Sequence, residues 1–199
     1  MEFNFFSKRE EKHLKHYQII KDKLLHSFCE TLHKHGISPD LLSYLGFFMV
    51  IPFVYFFRFN PWIAFLFLIL NLVFDALDGP LARLASKTTK WGAFLDHIIC
   101  DQFSFFTIFF TFLYFGLLNN FWATVYLLNY ILMLGFILYC NNFGVKIFTI
   151  VRSKYLIYLA FLIWLLSGNN YFDVFLIFFS VYMMIINLIL IYRIKCSLR

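Results

Sequence analysis

Four acidic residues lie close together where two long apolar segments of the chain meet a polar stretch. Asp75 and Asp78 are three residues apart at the end of one apolar segment. Asp96 and Asp101 lie near the start of the next. A charged side chain inside a membrane helix costs about 2.5–3.5 kcal/mol on insertion scales, so several acids together need a compensating partner. Because Mg²⁺ and Mn²⁺ prefer carboxylate oxygens, the spacing predicts that Asp75, Asp78 and Asp96 form a metal site.

Two neighbouring residues add the features of a phosphate site. Gly79 allows the backbone to approach a ligand closely. Arg83 follows one helical turn later and can bind a phosphate with two hydrogen bonds. Two Mg²⁺ or Mn²⁺ ions about 3.5–4 Å apart would stabilise both the attacking and the leaving oxygen of a phosphoryl transfer. The alternative interpretation is that the acids only pair with Arg83, Lys87 and Lys90 at a membrane interface.

The composition is that of a membrane protein. The chain is 62% hydrophobic and 23% aromatic but only 14% charged, which is far too apolar for a soluble domain. Period-2 alternation is absent, which disfavours a transmembrane barrel. We therefore predict an all-α membrane protein with six transmembrane helices in one domain, residues 37–199. The six apolar runs are residues 41–57, 61–77, 93–116, 120–140, 147–167 and 171–192.

The polar segment before the first run, residues 1–36, predicts an amphipathic helix on the membrane surface and argues against an ordinary secretory signal peptide. Within residues 8–35, apolar side chains recur at three- and four-residue steps opposite Lys and His. These side chains are Leu14, Tyr17, Ile20, Leu24, Leu25, Phe28 and Leu32. Gly36 is expected to end this helix, and Ser38 with Pro39 to begin the next.

The distribution of Lys and Arg predicts the orientation. With both termini in the cytoplasm, only Arg58 of the 17 Lys and Arg residues falls outside the cytoplasmic segments. The net charge of +6 then reflects topology and attraction to anionic lipid headgroups rather than nucleic-acid binding. We expect a multi-pass protein of the cell membrane, the inner membrane where there are two, if the source is bacterial or archaeal.

The segment that contains these acids resembles the signature of the CDP-alcohol phosphatidyltransferase family. That signature reads Asp-x2-Asp-Gly-x2-Ala-Arg-x8-Gly-x3-Asp-x3-Asp. The residues that match it in type and spacing are Asp75, Asp78, Gly79, Ala82, Arg83, Gly92 and Asp96. Residues 37–43 are also similar to the family's Pro-Asn/Asp-x-x-Thr/Ser motif, which begins its first transmembrane helix.

The resemblance implies a reaction and its partners. Such enzymes move a substituted phosphoryl group from a CDP-linked donor to an alcohol, release CMP and act in phospholipid biosynthesis. It implies metal ligation by Asp75, Asp78 and Asp96, a CDP-diacylglycerol type of lipid donor, and a homodimer. The residues that it places at the donor are Asp40, Leu41, Leu42, Ser43, Gly79, Ala82, Arg83 and Thr89.

One position departs from the signature. The fourth Asp, which in the family acts as general base and helps to bind metal, falls at Cys100, and Asp101 follows it. On a regular helix, position 100 lies about 40° from Asp96 and position 101 about 140° away. A one-residue π-bulge would turn Asp101 into the site as base and metal ligand, and such bulges are frequent at functional sites. The other interpretation is a weakened or inactive relative.

Basic residues near the later helices bear on the acceptor. In relatives that use a phosphorylated acceptor, such as inositol phosphate or glycerol phosphate, basic residues in this region bind its phosphate. The candidates here are Lys146, Arg152, Lys154 and Arg193. Snorkelling of Arg152 and Lys154 toward the interface is an equal alternative. Two other function classes remain: a six-helix transporter with an acidic ion relay, and a non-catalytic scaffold that retains a nucleotide site.

Overall fold

The computed structural model describes residues 8–86, 89, 92, 94, 100–145 and 154–197, with the backbone alone for residues 8–17 and 141. All regular secondary structure in these residues is helical, which confirms the predicted all-α class. The helices are α1 (Lys8–Lys34), α2 (Pro39–Phe48), α3 (Val50–Phe57), α4 (Pro61–Leu84), α5 (Asp101–Tyr114), α6 (Asn120–Asn142), α7 (Lys154–Ser167) and α8 (Phe172–Ser197).

Within the described residues, four stretches are long and apolar enough to cross a membrane, and they indicate an integral membrane protein. They are Pro39–Phe57, Pro61–Leu84, Asn120–Cys140 and Phe172–Ser197. Helices α5 and α7, at the two remaining predicted spans, have 14 residues each. Most of residues 93–99, and all of 147–153, lie outside the described residues. The count of six spans and the cytoplasmic termini therefore stay predictions.

The chain divides into two compact units, and each is described by itself: residues 16–115, and residues 116–199 with residues 1–15. In the second unit α6 packs along α8, where Asn187 donates from Nδ2 to the backbone oxygen of Asn129 at 3.0 Å. Near the start of both helices, the Asn119 N–H donates to Asp173 Oδ1 at 2.9 Å. These polar contacts fix the register of α6 on α8.

The end of α1 is set by local sequence, as predicted. Gly36 has φ +74°, a conformation that favours glycine. Its N–H donates to the His33 carbonyl at 2.9 Å, and the Ile37 N–H donates to the Leu32 carbonyl at 3.1 Å. This pair of bonds is the Schellman motif, which satisfies carbonyls at a helix end and turns the chain into α2.

The first predicted span consists of two helices rather than one. Ser38 caps α2, since its Oγ accepts from the Leu41 N–H at 3.2 Å. Helix α2 ends at Phe48, and α3 begins after Met49. The break places Pro52 in the first turn of α3, where a missing N–H costs no helical hydrogen bond.

Helices α2 and α4 approach each other closely at Gly46. A Cβ on Gly46 would lie 3.2 Å from Phe74 Cβ and 3.6 Å from the backbone oxygen of Asn71. The buried Asn71 side chain donates from Nδ2 to the Gly46 carbonyl at 2.8 Å. Small residues let helix backbones approach in this way, and interhelical hydrogen bonds of this kind contribute about 0.6–2 kcal/mol.

Helix α1 packs on the same two helices through an apolar cluster. Its buried members are Cys29, Leu42, Leu77 and Leu81, and Leu25, Leu32, Ile37, Leu45, Phe74 and Leu84 pack around them. Burial, and secondarily the nearby Asp22 carboxylate, raise the pKa of the Cys29 thiol. A neighbouring stripe of α1, with Ile20, Leu24 and Phe28, is exposed. That this stripe lies in a membrane surface stays a prediction.

We predict that Gly46→Leu destabilises the protein. The added side chain must separate α2 from α4, and overpacking of this kind costs about 1–3 kcal/mol. Thermal unfolding in detergent should show a fall in Tm of roughly 2–10 °C.

Gly135→Leu is the matched control, because Gly135 is also helical and a Cβ there meets nothing within 4 Å. Equal melting temperatures for the two variants would contradict the close packing of α2 on α4.

Candidate active site on helices α2 and α4

The motif residues from Asp75 to Arg83 share one continuous helix. The sequence predicted an apolar run that ends at residue 77, but α4 runs through Pro80 to Leu84. Buried Leu77 and Leu81 hold this last part of α4 against α1 and α2. A proline inside a helix removes one backbone hydrogen bond, and packing of this kind compensates for it. Because the motif residues share one helix, the helical period sets the relative directions of their side chains.

Asp78 is held in one orientation at a buried position. It is 4% exposed. The Ser43 hydroxyl donates to its Oδ2 at 2.8 Å, and the Gly79 N–H donates to its Oδ1 at 2.6 Å. Hydrogen bonds to an ionised carboxylate are about twice as strong as neutral ones and offset part of the cost of burying it. The structure thus joins Ser43, which was predicted to bind the CDP-linked donor, to Asp78, which was predicted to bind metal.

A second group of predicted residues converges at the start of α2. The Gly92 N–H donates to Thr89 Oγ1 at 2.9 Å. A Cβ on Gly92 would lie 3.1 Å from that oxygen and 3.8 Å from Asp40 Oδ1. A larger residue at position 92 would thus crowd the Thr89 hydroxyl and contact the Asp40 carboxylate. Because Asp40 and Ser43 are about one turn apart on α2, this group is connected through α2 to Asp78.

Arg83 has a partner that the sequence analysis missed. Its Nε donates to Asp22 Oδ2 at 2.8 Å, and its Nη2 donates to Asp22 Oδ1 at 2.6 Å. The two side chains are 32% and 36% exposed. The sequence carried a signal for this contact. Asp22 lies at helical spacing from Leu25, Cys29 and Leu32, so it is an acid within the stripe of α1 that packs on the protein.

The other predicted site residues on α2 and α4 differ in their surroundings. Leu42 belongs to the buried cluster with Leu81, and Leu41 is exposed. Asp75 and Ala82 are half-buried. Leu42 therefore shapes the site by holding α2 against α4, whereas the other three have surface for a ligand.

The position of Asp101 is described in part. Asp101 is the first residue of α5, and Gln102 donates to its Oδ2 at 3.3 Å. The preceding residue, Cys100, is buried, with φ −71° and ψ −46°, and residues 95–99, where the predicted bulge would lie, are outside the described residues. Asp96 lies outside the described residues. Within the described part of the chain, no three His, Cys, Asp or Glu residues form a group that could hold a metal. The metal site and the turn of Asp101 toward Asp75 stay predictions.

The acceptor candidates fall in the second unit or outside the described residues. Lys154 is buried, and its Nζ lies 4.7 Å from the centre of the Tyr155 ring, a cation–π contact. Arg193 is half-buried on α8. Lys146 and Arg152 lie outside the described residues. Their role at a phosphate stays a prediction.

Comparison with known families matches most of the chain, including the motif. The profile of the CDP-alcohol phosphatidyltransferase family matches residues 36–192, most of the chain. The chain belongs to the CDP-alcohol phosphatidyltransferase family. This confirms the resemblance that rested on the spacing of Asp75, Asp78, Arg83 and Gly92.

Named relatives of this family member match over shorter segments. An archaetidylinositol phosphate synthase of Pyrococcus horikoshii is 39% identical over 71 residues, 35% of this chain and 38% of that protein. A phosphatidylinositol phosphate synthase of Streptomyces avermitilis is 34% identical over 76 residues, 37% and 31% of the two chains. An uncharacterized protein of Aquifex aeolicus is 36% identical over 84 residues, 42% of each. These matches span less than half of each relative. No solved structure matches the chain significantly.

We predict that Ser43→Ala weakens binding of Mn²⁺ by this phosphatidyltransferase family member. Loss of the Ser43 hydroxyl removes a hydrogen bond that orients Asp78, and such changes typically cost 10–100-fold in metal affinity, so a loss of about 10-fold or more is expected. Mn²⁺ titration of the purified protein, followed by electron paramagnetic resonance of the free ion, measures the change.

Ser167→Ala is the control, since its hydroxyl bonds only to nearby backbone: it donates to the Ile163 carbonyl at 2.7 Å and accepts from the Asn169 N–H at 3.2 Å. Equal Mn²⁺ affinity in the two variants would argue against Asp78 as a ligand.

Proposed function

We propose that the protein is an integral membrane transferase of phospholipid biosynthesis. It moves a substituted phosphoryl group from a CDP-linked lipid donor, of the CDP-diacylglycerol type, to an alcohol and releases CMP. The main support is the Asp78 carboxylate, which Ser43 and Gly79 orient on the same helix as Asp75 and Arg83. A buried and oriented acid beside a second acid and an arginine is what a metal-held diphosphate needs.

The donor set fits a hard divalent cation. Asp75 and Asp78 offer carboxylate oxygens, and the hydrogen bonds on Asp78 fix the orientation of one of them. Asp96 and Asp101 complete the proposed ligand set for Mg²⁺ or Mn²⁺, two ions per site. When bound, the ions would neutralise charge on the diphosphate and on the departing CMP. These assignments rest on the family motif and on the contacts of Asp78.

The remaining residues bind and position the donor. Arg83 binds a phosphate through its guanidinium, and Gly79 and Gly92 leave space for the diphosphate and the nucleotide. Asp40, Leu41, Ala82 and Thr89 lie around the cytidine end, and buried Leu42 supports them from the α2–α4 interface. Asp101 accepts the proton of the acceptor hydroxyl as that oxygen attacks phosphorus in line. The P–O bond to CMP then breaks, and no covalent enzyme intermediate is needed.

The acceptor that we propose is a phosphorylated inositol. Two of the relatives are named as synthases of inositol phosphate lipids. Basic residues suit a phosphorylated acceptor, and Lys146, Arg152, Lys154 and Arg193 are the candidates to bind its phosphate. We further propose that the protein is a homodimer and that the site faces the cytoplasm, where soluble inositol phosphate and CMP are exchanged.

We predict that the purified protein in detergent releases CMP when given CDP-diacylglycerol, inositol phosphate and Mn²⁺. Omission of the acceptor, or EDTA, should abolish release, because both an attacking hydroxyl and the proposed metal are required. Asp78→Asn should lower the rate by more than about 100-fold through loss of electrostatic stabilisation. Chromatography of CMP and of the lipid product measures the reaction.

A panel with glycerol phosphate, serine and an ether-linked CDP donor identifies the substrates. Nucleotide binding without CMP release under every combination would favour the scaffold interpretation. Metal-dependent ion flux in vesicles without CMP release would favour the transporter.

We predict that Asp101→Asn lowers transfer by about 10²–10⁴-fold, as expected for loss of a general base. Cys100→Ala should have little effect, since Cys100 is buried and contributes an apolar side chain. Initial rates of CMP release for both variants make the test. An active Asp101→Asn enzyme would rule out Asp101 as the base.

A further inference from the structure

The ion pair between Asp22 and Arg83 joins α1 to the proposed donor site. Arg83 is assigned above to the donor phosphate, and the inference below rests on that proposed function. Asp22 lies 61 residues earlier in the chain and meets Arg83 with two hydrogen bonds, at 2.8 Å and 2.6 Å. Exposed ion pairs contribute only about 0–1 kcal/mol to stability. A contribution to stability alone therefore does not account for the pair.

The ion pair uses one edge of the guanidinium, and a second edge is not bonded to Asp22. A guanidinium has five N–H donors in a fixed planar fork. Asp22 accepts from the side edge, formed by Nε and Nη2. The end edge, formed by Nη1 and the second N–H of Nη2, points away from Asp22. The N–H groups of Nη1 and the second N–H of Nη2 are the donors that a phosphate can use while Asp22 stays bound.

The end edge lies beside Gly79. A Cβ added to Gly79 would lie 3.4 Å from Arg83 Nη1 and 3.8 Å from Nη2. The Gly79 N–H in turn donates to Asp78. Asp22, Arg83, Gly79 and Asp78 therefore lie next to one another between α1 and the proposed metal ligand.

The packing of α1 makes this contact well defined. Cys29, two turns after Asp22, is 1% exposed, and its Sγ lies 4.0 Å from the Leu77 carbonyl. Leu81, just before Arg83, is fully buried in the same cluster. Both members of the ion pair thus extend from backbone segments that are fixed against each other.

We propose that Asp22 is a positioning residue for the donor. It binds the side edge of Arg83 and fixes the plane of the guanidinium, so that the N–H groups not bonded to Asp22 meet the diphosphate of the CDP-linked donor beside Gly79. The N-terminal helix is then part of the donor site. If Asp22 instead competed with the donor for Arg83, its removal would strengthen donor binding, so the sign of the effect separates the two roles.

Kinetics and binding of full-length variants in detergent test this role. Asp22→Asn keeps the size of the side chain but loses the charge and one acceptor. We expect KM for CDP-diacylglycerol and Kd for CDP to rise roughly 10- to 100-fold, the cost of a misplaced binding group. Asp22→Glu should restore part of the affinity, and kcat at saturating donor should change less than KM.

Glu30→Gln is the matched control. Glu30 also lies on α1 and forms an ion pair, with Lys34 at 2.9 Å, but that pair is exposed and both of its members lie on α1, four residues apart. We expect it to change KM by less than about threefold. Melting temperatures of both variants show whether α1 remains folded and docked.

A double-mutant cycle with Arg83→Ala gives the second readout. If Asp22 acts through Arg83, adding Asp22→Asn to Arg83→Ala should cause no further loss of CDP affinity. Additive losses, or an unchanged or lower KM in Asp22→Asn, would overturn the proposal. CDP binding without CMP release in the wild type would refute the proposed reaction and leave the Asp22 effect measurable as Kd. Absence of CDP binding in the wild type would overturn both.

Discussion

The close packing of α2 on α4 is the constraint on which the described site depends. Gly46 has no side chain, so the two backbones meet, and Asn71 donates across the interface to the Gly46 carbonyl. About one turn further along, Ser43 donates to Asp78. As residue numbers fall on α2 they rise on α4, so the helices are antiparallel. The start of α2, with Asp40, is thereby brought toward the segment that follows α4.

The buried carboxylate of Asp78 explains why polar residues interrupt apolar helices here. An isolated carboxylate is costly in such a position, and two hydrogen-bond donors offset part of that cost. The same bonds limit the directions from which a cation or donor can approach the oxygens. Pre-orientation of this kind serves an electrostatic reaction, in which charges must already be in place when the phosphorus–oxygen bond breaks. The burial of Asp78 and the proposed chemistry therefore both require the Ser43 hydroxyl as a hydrogen-bond donor.

Helix α1 packs on the protein along one stripe and is exposed along another. One stripe packs through Cys29 and Leu25 on the unit that carries the motif, and the neighbouring stripe with Leu24 and Phe28 is exposed. The same helix supplies Asp22 to Arg83. A helix that contacts both the protein and its surroundings, and also an arginine of the family motif, is a physical connection between the surface and the proposed donor site.

Local sequence determined much of this protein. Hydrophobic runs predicted the helical class, Gly36 and Ser38 predicted the turn from α1 to α2, and the spacing from Asp75 to Gly92 identified the family. Each of these depends on interactions within a few residues or on a fixed motif. Tertiary structure decided the rest: the break at Met49, the continuation of α4 through Pro80, and the partners of Asp78 and Arg83. The partners Ser43 and Asp22 lie 35 and 61 positions from Asp78 and Arg83, and the order of residues along a chain does not specify which side chains packing will bring together.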